Sequence, residues 1–415
     1  MSTKQFMGNV SWSMLSHLFS RGSMMLSAML LARSLSASDF ATYSYFQLTC
    51  TMIATYSALG LGVTASKFFA ELNASKISDS DDSTKLIGTL WVLSILLSLT
   101  AALIVLVIPN SILSSGLNIS TLLFSLCVLV MALDIVPSGG ILGLEKYKQV
   151  ALISFISGVV GLSGVIFSIK LNQVIYSMWS LILSCLIQLI GEVYVIYSFS
   201  GSKNFKKLLI FDKSKVKNVL KFVGPMMFVS IMAGSSAWIL GRLILNGNNG
   251  NHNFALYSIG LQWFALALFI PGMISRVLLP RLIRSSPSEH SNTLYLAGSV
   301  AIAAASVFAV IGYIFGDTII SVYGSNYDSS KNLIFAYLVA AVLYAPANTL
   351  GNALVAHGKQ NIWLFVTFIW FVITVSAAVF FKESGAWMGA YAQIIGGSSI
   401  LMLSIFFCKK DGVLK

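Results

Sequence analysis

The chain has 415 residues, of which 57% are hydrophobic and only 10% are charged, and its formal net charge is +12. This composition excludes a soluble globular protein, because too few polar residues are present to cover a soluble surface. We therefore predict an integral membrane protein whose basic residues mark cytoplasmic segments and do not bind nucleic acid.

Twelve runs along the chain have the length of about 20 mainly apolar residues that a membrane-spanning helix needs. In the first half the predicted spans are 9–32, 40–62, 86–108, 119–141, 149–170 and 174–197. In the second half they are 222–245, 254–276, 293–315, 331–355, 362–382 and 386–407. The first run is too long for a signal-peptide core and lacks a convincing cleavage site, so it is predicted to be a spanning helix.

The distribution of lysine and arginine predicts the orientation in the membrane. With both termini in the cytoplasm, twenty basic residues fall on the cytoplasmic side and four on the opposite side. Those four are Arg33, Lys170, Lys331 and Lys382. Such an excess is typical of cytoplasmic loops, and it leaves Arg21 and Arg242 inside spans.

An internal repeat relates the two sets of six spans. The segment FATYS at Phe40 recurs as FALYS at Phe254, and each opens the second span of its half. Each half also has a proline near the end of its fourth span, Pro137 or Pro346, followed by a Lys-Gln pair before the fifth span. Both halves start from the cytoplasm, so the repeat is parallel.

This repeat predicts the domain organisation. An N-terminal six-helix bundle over 1–200 and a C-terminal six-helix bundle over 222–415 are joined by a basic cytoplasmic linker over 201–221. The seven lysines of the linker are interpreted as contacts with anionic headgroups. The expected fold is an all-α membrane protein with twelve transmembrane helices in two parallel bundles around a central cavity, which alternate access by rocking.

Enzyme motifs are missing from the sequence. It contains neither a G-x-x-x-x-G-K-[ST] nucleotide loop nor an H-E-x-x-H zinc motif, and the four cysteines lack metal-ligand spacing. We therefore predict a transporter that is not an enzyme, with no cofactor and no metal site. A membrane polysaccharide polymerase is a less favoured alternative, because it would be expected to carry one large external loop, and the longest predicted here is 316–330.

Several segments resemble the multidrug/oligosaccharidyl-lipid/polysaccharide exporter superfamily, and within it the bacterial O-antigen and capsule repeat-unit flippases. They are SDFATYSYFQ at the start of the second span, GLGVTASKFF at its end, the counterpart PGMISRVLLPRL, and GLEKYKQ after the fourth span. The resemblance covers nearly the whole chain. Drug-exporting relatives typically place an acidic residue in the first or seventh span, whereas the first span here has Arg21. A cation-coupled multidrug exporter is the main alternative.

The resemblance implies a substrate and a location. The substrate would be an undecaprenyl-pyrophosphate-linked oligosaccharide, moved from the inner to the outer leaflet of the bacterial inner membrane. Membrane lipid and the polymerase and chain-length machinery would be further partners.

Arg21 is the most unusual residue of the first span. It lies about halfway along the span, where a charge costs roughly 2.5 to 3.5 kcal/mol, so it is expected to face a partner or a water-filled cavity. Ser13, His17 and Arg21 recur every four residues and form a polar stripe. One interpretation is that Arg21 and His17 bind the pyrophosphate, and the other is a structural ion pair of Arg21 with Asp134 or Glu192.

The remaining charged candidates lie on other spans or at their ends. Asp134 and Glu192 are each interpreted as a counter-ion of Arg21 or as a site for a coupling cation. Arg33 and Arg242 lie toward the external side, where they would form a basic exit rim or contact headgroups. The candidates on the cytoplasmic side of the substrate path are Lys67, Arg276 and Arg281.

Overall fold

The computed structural model describes residues 3–57, 60–74, 81–200, 211–273, 287–327 and 330–414. Within these residues nearly all of the chain is helical and no β-strand occurs. A helix satisfies its backbone hydrogen bonds internally, as a segment that crosses lipid must. The α-helices are α1 Thr3–Ser34, α2 Ala37–Ser57, α3 Leu61–Ala74, α4 Asp81–Val107, α5 Asn110–Leu113, α6 Thr121–Gly143, α7 Tyr147–Leu171, α8 Ile175–Ser200, α9 Lys213–Leu245, α10 Gly250–Ala267, α11 Pro287–Ile314, α12 Gly316–Tyr323, α13 Lys331–Ala356, α14 Gln360–Phe380 and α15 Ala386–Lys410.

A long helix lies at each of the twelve predicted spans, so the predicted all-helical fold is confirmed. Nine helices of the described part of the chain are long and apolar enough to cross a membrane by length and composition. The other three are α1, α2 and α10, at predicted spans one, two and eight. Polar residues interrupt their apolar stretches, as His17 and Arg21 do in α1.

The second span of the first half ends earlier than predicted. α2 ends at Ser57, and α3 begins at Leu61 after Gly60, whose φ is 76°. Glycine adopts this left-handed conformation without the steric penalty of a side chain, and it directly precedes the start of α3. The prediction of one helix over 40–62 was therefore wrong.

The second span of the second half is interrupted within the predicted 254–276, because α10 ends at Ala267 and helix resumes over 269–273. Pro271 accounts for this end. It has no backbone N–H to donate to the carbonyl of Ala267, four residues earlier. Residues 274–286 lie outside the described residues, and the candidates Arg276 and Arg281 lie among them.

The helices form two compact units, of which the N-terminal one comprises Met1–Leu35 and Thr42–Ile231. Its central helix is α6, which packs against α3, α4 and α8, while α7 packs against α8 and α1. α6 and α3 approach very closely, since a Cβ atom on Gly139 would lie 2.1 Å from the carbonyl oxygen of Gly62. Small residues at such crossings let helix backbones come together, as is common in membranes.

The C-terminal unit comprises Ser36–Ala41 and Met232–Lys415. Its central helix is α13, which packs against α10, α11, α14 and α15. On this helix Tyr337 contacts Tyr257 of α10, with ring centroids 6.3 Å apart, and both side chains are fully buried. The fourth span of each half is thus the central helix of its unit, which agrees with the internal repeat.

The predicted basic linker over 201–221 is described only from residue 211 onward, and residues 201–210 lie outside the described residues. Just before α9, Asp212 docks against α4, where the hydroxyl oxygen of Thr89 accepts the backbone N–H of Asp212 at 3.0 Å. The start of α9 is therefore held by the N-terminal unit.

Candidate functional site

Two acidic side chains meet inside the N-terminal unit, where α8 packs against α6. Glu192 on α8 is 1% exposed, and Asp134 on α6 is half-buried. Their carboxyl groups are close neighbours that interact with each other. The oxygens Asp134 Oδ1 and Glu192 Oε2 are buried and accept no hydrogen bond from any described residue. Because carboxylate oxygens only accept, the two groups need a shared proton or a cation to hold them together.

A chain of polar side chains leads from α7 to this carboxyl pair. Gln188, one turn before Glu192 on α8, donates its Nε2 hydrogen to Glu192 Oε1 at 2.5 Å. Ser157 on α7 donates its hydroxyl to Gln188 Oε1 at 3.0 Å. Ser184 in turn donates to the backbone carbonyl of Ser157 at 2.8 Å. The contacts of Gln188 with Glu192 and Ser157 fix its amide plane and one oxygen of Glu192, whereas Ser184 contacts only the backbone of α7.

The surroundings of the pair are weakly polar. Cys185 on α8 lies near both Asp134 and Cys127, and the buried Tyr43 of α2 lies near both thiols. The four cysteines of the chain are free thiols. These neighbours solvate a charge poorly, so an ion at the pair would carry a high desolvation cost.

Arg21 lies on an exposed part of α1, and it makes no hydrogen bond or ion pair with any residue that the structure describes. α1 packs against α7 through Phe19 and Ser23, which lie two positions before and two positions after Arg21. The rings of Phe19 and Phe155 are 5.1 Å apart, and a Cβ atom on Gly158 would lie 2.9 Å from the side chain of Ser23. Arg21 is therefore on the other side of α1 from α7.

The ion pair of Arg21 with Asp134 or Glu192, considered from the sequence, is not formed among the described residues. Instead the two acidic candidates lie together, without an arginine.

The other basic candidates that the structure describes lie on α1, α3 and α9. His17 is half-buried in α1, and Arg33 is exposed near the end of the same helix. The guanidinium of Arg242 lies 5.2 Å from the ring centroid of Trp238, one turn earlier on α9. On α3 the exposed Lys67 lies 5.8 Å from the ring of its neighbour Phe68.

Sequence reasoning missed Gln188, Ser157 and Ser184. A usable signal was present for Gln188, which is four residues before Glu192 in an apolar span, so that both lie on one helix face. No comparable signal marks the two serines, because serine is common in the spans of this chain.

Comparison with known proteins gives one family match and related exporters. The family model described as polysaccharide biosynthesis protein matches residues 6–246. The EPS I polysaccharide export inner membrane protein EpsE of Ralstonia nicotianae is 25% identical over 174 residues, which cover 40% of this chain and 39% of that protein. The protein of the same description from Ralstonia solanacearum is 25% identical over 155 residues, 35% of each chain. The chain thus spans about two fifths of the length of the curated relatives it matches.

Solved structures share the fold over almost the whole chain. An inward-facing multidrug resistance MATE family transporter of the MOP superfamily has a TM-score of 0.76, with 14% identity over 97% of both chains. A MOP superfamily transporter from Pyrococcus furiosus has a TM-score of 0.72, with 14% identity over 97% of this chain and 95% of the other. At this identity the likeness shows the fold alone, which is the two-bundle helical fold predicted from the sequence.

Proposed function

The chain belongs to the polysaccharide biosynthesis protein family, and on that premise we propose that it is a multi-pass transporter of the inner membrane, which flips an undecaprenyl-pyrophosphate-linked oligosaccharide from the cytoplasmic to the periplasmic leaflet. The EpsE relatives, which are described as polysaccharide export proteins, support a polysaccharide-related cargo. A lipid-linked form of that cargo explains why transport has to occur within a membrane protein. Its sugar and phosphates are costly to move through lipid unaided, whereas its polyprenyl tail is stable there.

The observation that carries this proposal is Arg21, an exposed arginine about halfway along the predicted first span, with no acidic partner among the described residues. A permanent charge inside a span needs compensation by a ligand or by water. A pyrophosphate offers that compensation, because its oxygens accept two parallel hydrogen bonds from the planar guanidinium. His17, one turn away on α1, is proposed to contribute to the same contact, and Arg33, Arg242 and Lys67 to contact the anionic cargo elsewhere along its path.

The membrane potential supports export of an anion. With the cytoplasm negative, moving one negative charge outward lowers its electrical free energy by about 2.3 kcal/mol per 100 mV. Movement of the pyrophosphate is therefore electrically downhill. The carboxyl pair of Asp134 and Glu192 is proposed to couple transport to an ion gradient, because two neighbouring carboxyl groups can share one proton or one cation.

Deletion of the gene tests the proposal. We expect surface polysaccharide to be lost and lipid-linked repeat units to accumulate in the cytoplasmic leaflet, because their synthesis does not depend on export. The measurement is the sidedness of the lipid-linked sugar in spheroplasts, with the gene restored from a plasmid as control. Accumulation of exported but unpolymerised units would instead identify a polymerase.

The proposed orientation, with both termini in the cytoplasm, is tested with reporter fusions. A reporter active only outside the cytoplasm is expected to work after Lys170 or near Ser325, and to fail near Lys213 or at the C-terminus. The reason is the excess of basic residues on one side of the predicted spans. Activity of the fusion near Lys213 would contradict the orientation.

A cation-coupled multidrug exporter remains the second candidate, and the carboxyl pair is the observation that favours it. This reading gives Asp134 and Glu192 the coupling role and leaves Arg21 without one. It predicts that deletion makes cells sensitive to cationic drugs while surface polysaccharide stays normal. The flippase proposal predicts the opposite combination.

A further inference from the structure

Gln188 uses both ends of its side-chain amide within the N-terminal unit. Its Nε2 donates to Glu192 Oε1 at 2.5 Å, and its Oε1 lies 3.0 Å from the hydroxyl of Ser157. That hydroxyl also lies 3.1 Å from the carbonyl oxygen of Ser154, and its single hydrogen serves these two acceptors. The amide therefore links α7 to the carboxyl group on α8.

This link determines which oxygen of Glu192 can hold a proton. Oε1 is occupied by the amide of Gln188, whereas Oε2 is buried and has no partner among the described residues. Asp134 also has a buried oxygen without a partner among the described residues, and its carboxyl group is a close neighbour of Glu192. A proton shared by the two carboxyl groups, carried on Oε2 of Glu192, would give the pair the donor that it lacks.

Burial distinguishes the two acids. Glu192 is 1% exposed, while Asp134 is half-buried. The charged form is disfavoured more strongly at the more buried group, because the desolvation penalty is larger there.

We propose that Glu192 stores the proton of the carboxyl pair, that Asp134 is the group through which the proton exchanges, and that Gln188 and Ser157 are positioning residues that hold Glu192 for this purpose. The inference rests on the coupling role proposed above for the pair.

Other titratable groups near the pair do not supply a competing charge in their ordinary state. They are the thiols of Cys127 and Cys185 and the phenol of Tyr43, all neutral at pH 7 when unperturbed, and Cys50 lies beside Cys127. α7 has no titratable residue between Lys148 and Lys170, and α4 has none after Lys85. Among the described side chains of α3, the charged one is that of Lys67, which is exposed. His17 and Arg21 lie on α1, which packs against α7.

Infrared difference spectroscopy of the purified full chain in lipid nanodiscs tests the inference. The probe is the carbonyl-stretch band of a protonated carboxyl group, which moves to lower frequency when its carbonyl oxygen accepts a hydrogen bond. The wild-type band is expected to be lost in Glu192→Gln and kept in Asp134→Asn. In Gln188→Met it is expected to shift to higher frequency, since methionine has a similar length but no amide donor. Ser157→Ala is expected to shift it in the same direction by a smaller amount.

Ser184→Ala is the matched control. Its hydroxyl contacts the backbone of Ser157 and neither carboxyl group, so the band should stay in place. A band that persists in Glu192→Gln would overturn the assignment of the proton, and a band unchanged in both Gln188→Met and Ser157→Ala would overturn the positioning role. Should Gln188→Met not fold, Ser157→Ala alone decides. The spectrum needs no substrate, so a failure of the flippase proposal would leave this result unaffected.

Discussion

Cells in which Arg21→Ala or Arg21→Glu replaces the wild-type protein are expected to lose surface polysaccharide, although the variant inserts and accumulates normally. Two charge-assisted hydrogen bonds from the guanidinium are worth about 3 to 6 kcal/mol together. Their loss corresponds to at least about a hundredfold slower transport. The measurement is export of lipid-linked sugar in cells with matched amounts of membrane-inserted protein.

Three variants separate an anion contact from other roles of Arg21. Arg21→Lys keeps the charge but not the planar fork, so it is expected to retain part of the transport. Lys170→Ala removes an exposed positive charge from the last turn of α7, and transport is expected to stay normal. The double variant Arg21→Ala, Asp134→Ala is expected to remain inactive, because no ion pair joins these residues in the described structure. Normal transport in the double variant would reduce Arg21 to a structural partner.

The sequence was sufficient for the spans but not for every helix end. Hydrophobic length alone locates the long helices, because lipid accepts only segments that satisfy their own backbone. The separate helix α3 begins after Gly60, and it crosses α6 closely at Gly62 and Gly139. That crossing is a contact between distant parts of the chain, so no local pattern predicts it. Pro271, by contrast, is a local signal that could have placed the end of α10.

The sequence was sufficient to predict the two acidic residues of the candidate site, but not which residues they contact. Asp134 and Glu192 stand out because acidic residues are rare inside spans. Whether each pairs with the other or with Arg21 depends on how α6, α8 and α1 pack, and the sequence left both arrangements open. Gln188 has a local relation to Glu192, but its contact with Ser157 needs the packing of α7 against α8.

Replacement of Glu192 by alanine is expected to destabilise the protein strongly. It would leave the amide of Gln188 and the carboxyl group of Asp134 without their partner, at about 1 to 3 kcal/mol for each buried group. Glu192→Gln keeps the shape and an acceptor oxygen, so its loss should be smaller. The measurement is the thermal unfolding midpoint in one detergent. Asp317→Asn, which changes an exposed carboxylate of a surface ion pair, should alter stability by no more than about 0.5 kcal/mol.

The double carboxamide variant Asp134→Asn, Glu192→Gln separates the structural role of the pair from its coupling role. An amide N–H can donate to the facing amide oxygen, so the contact between α6 and α8 is kept and the variant should fold. It has no carboxyl group left to bind a proton or a cation. In membrane vesicles we expect its transport to respond to an imposed membrane potential but no longer to an imposed pH or sodium gradient, whereas the wild type responds to both. If the gradient response survives in this variant, the coupling site lies elsewhere and the carboxyl pair serves only to hold α6 against α8.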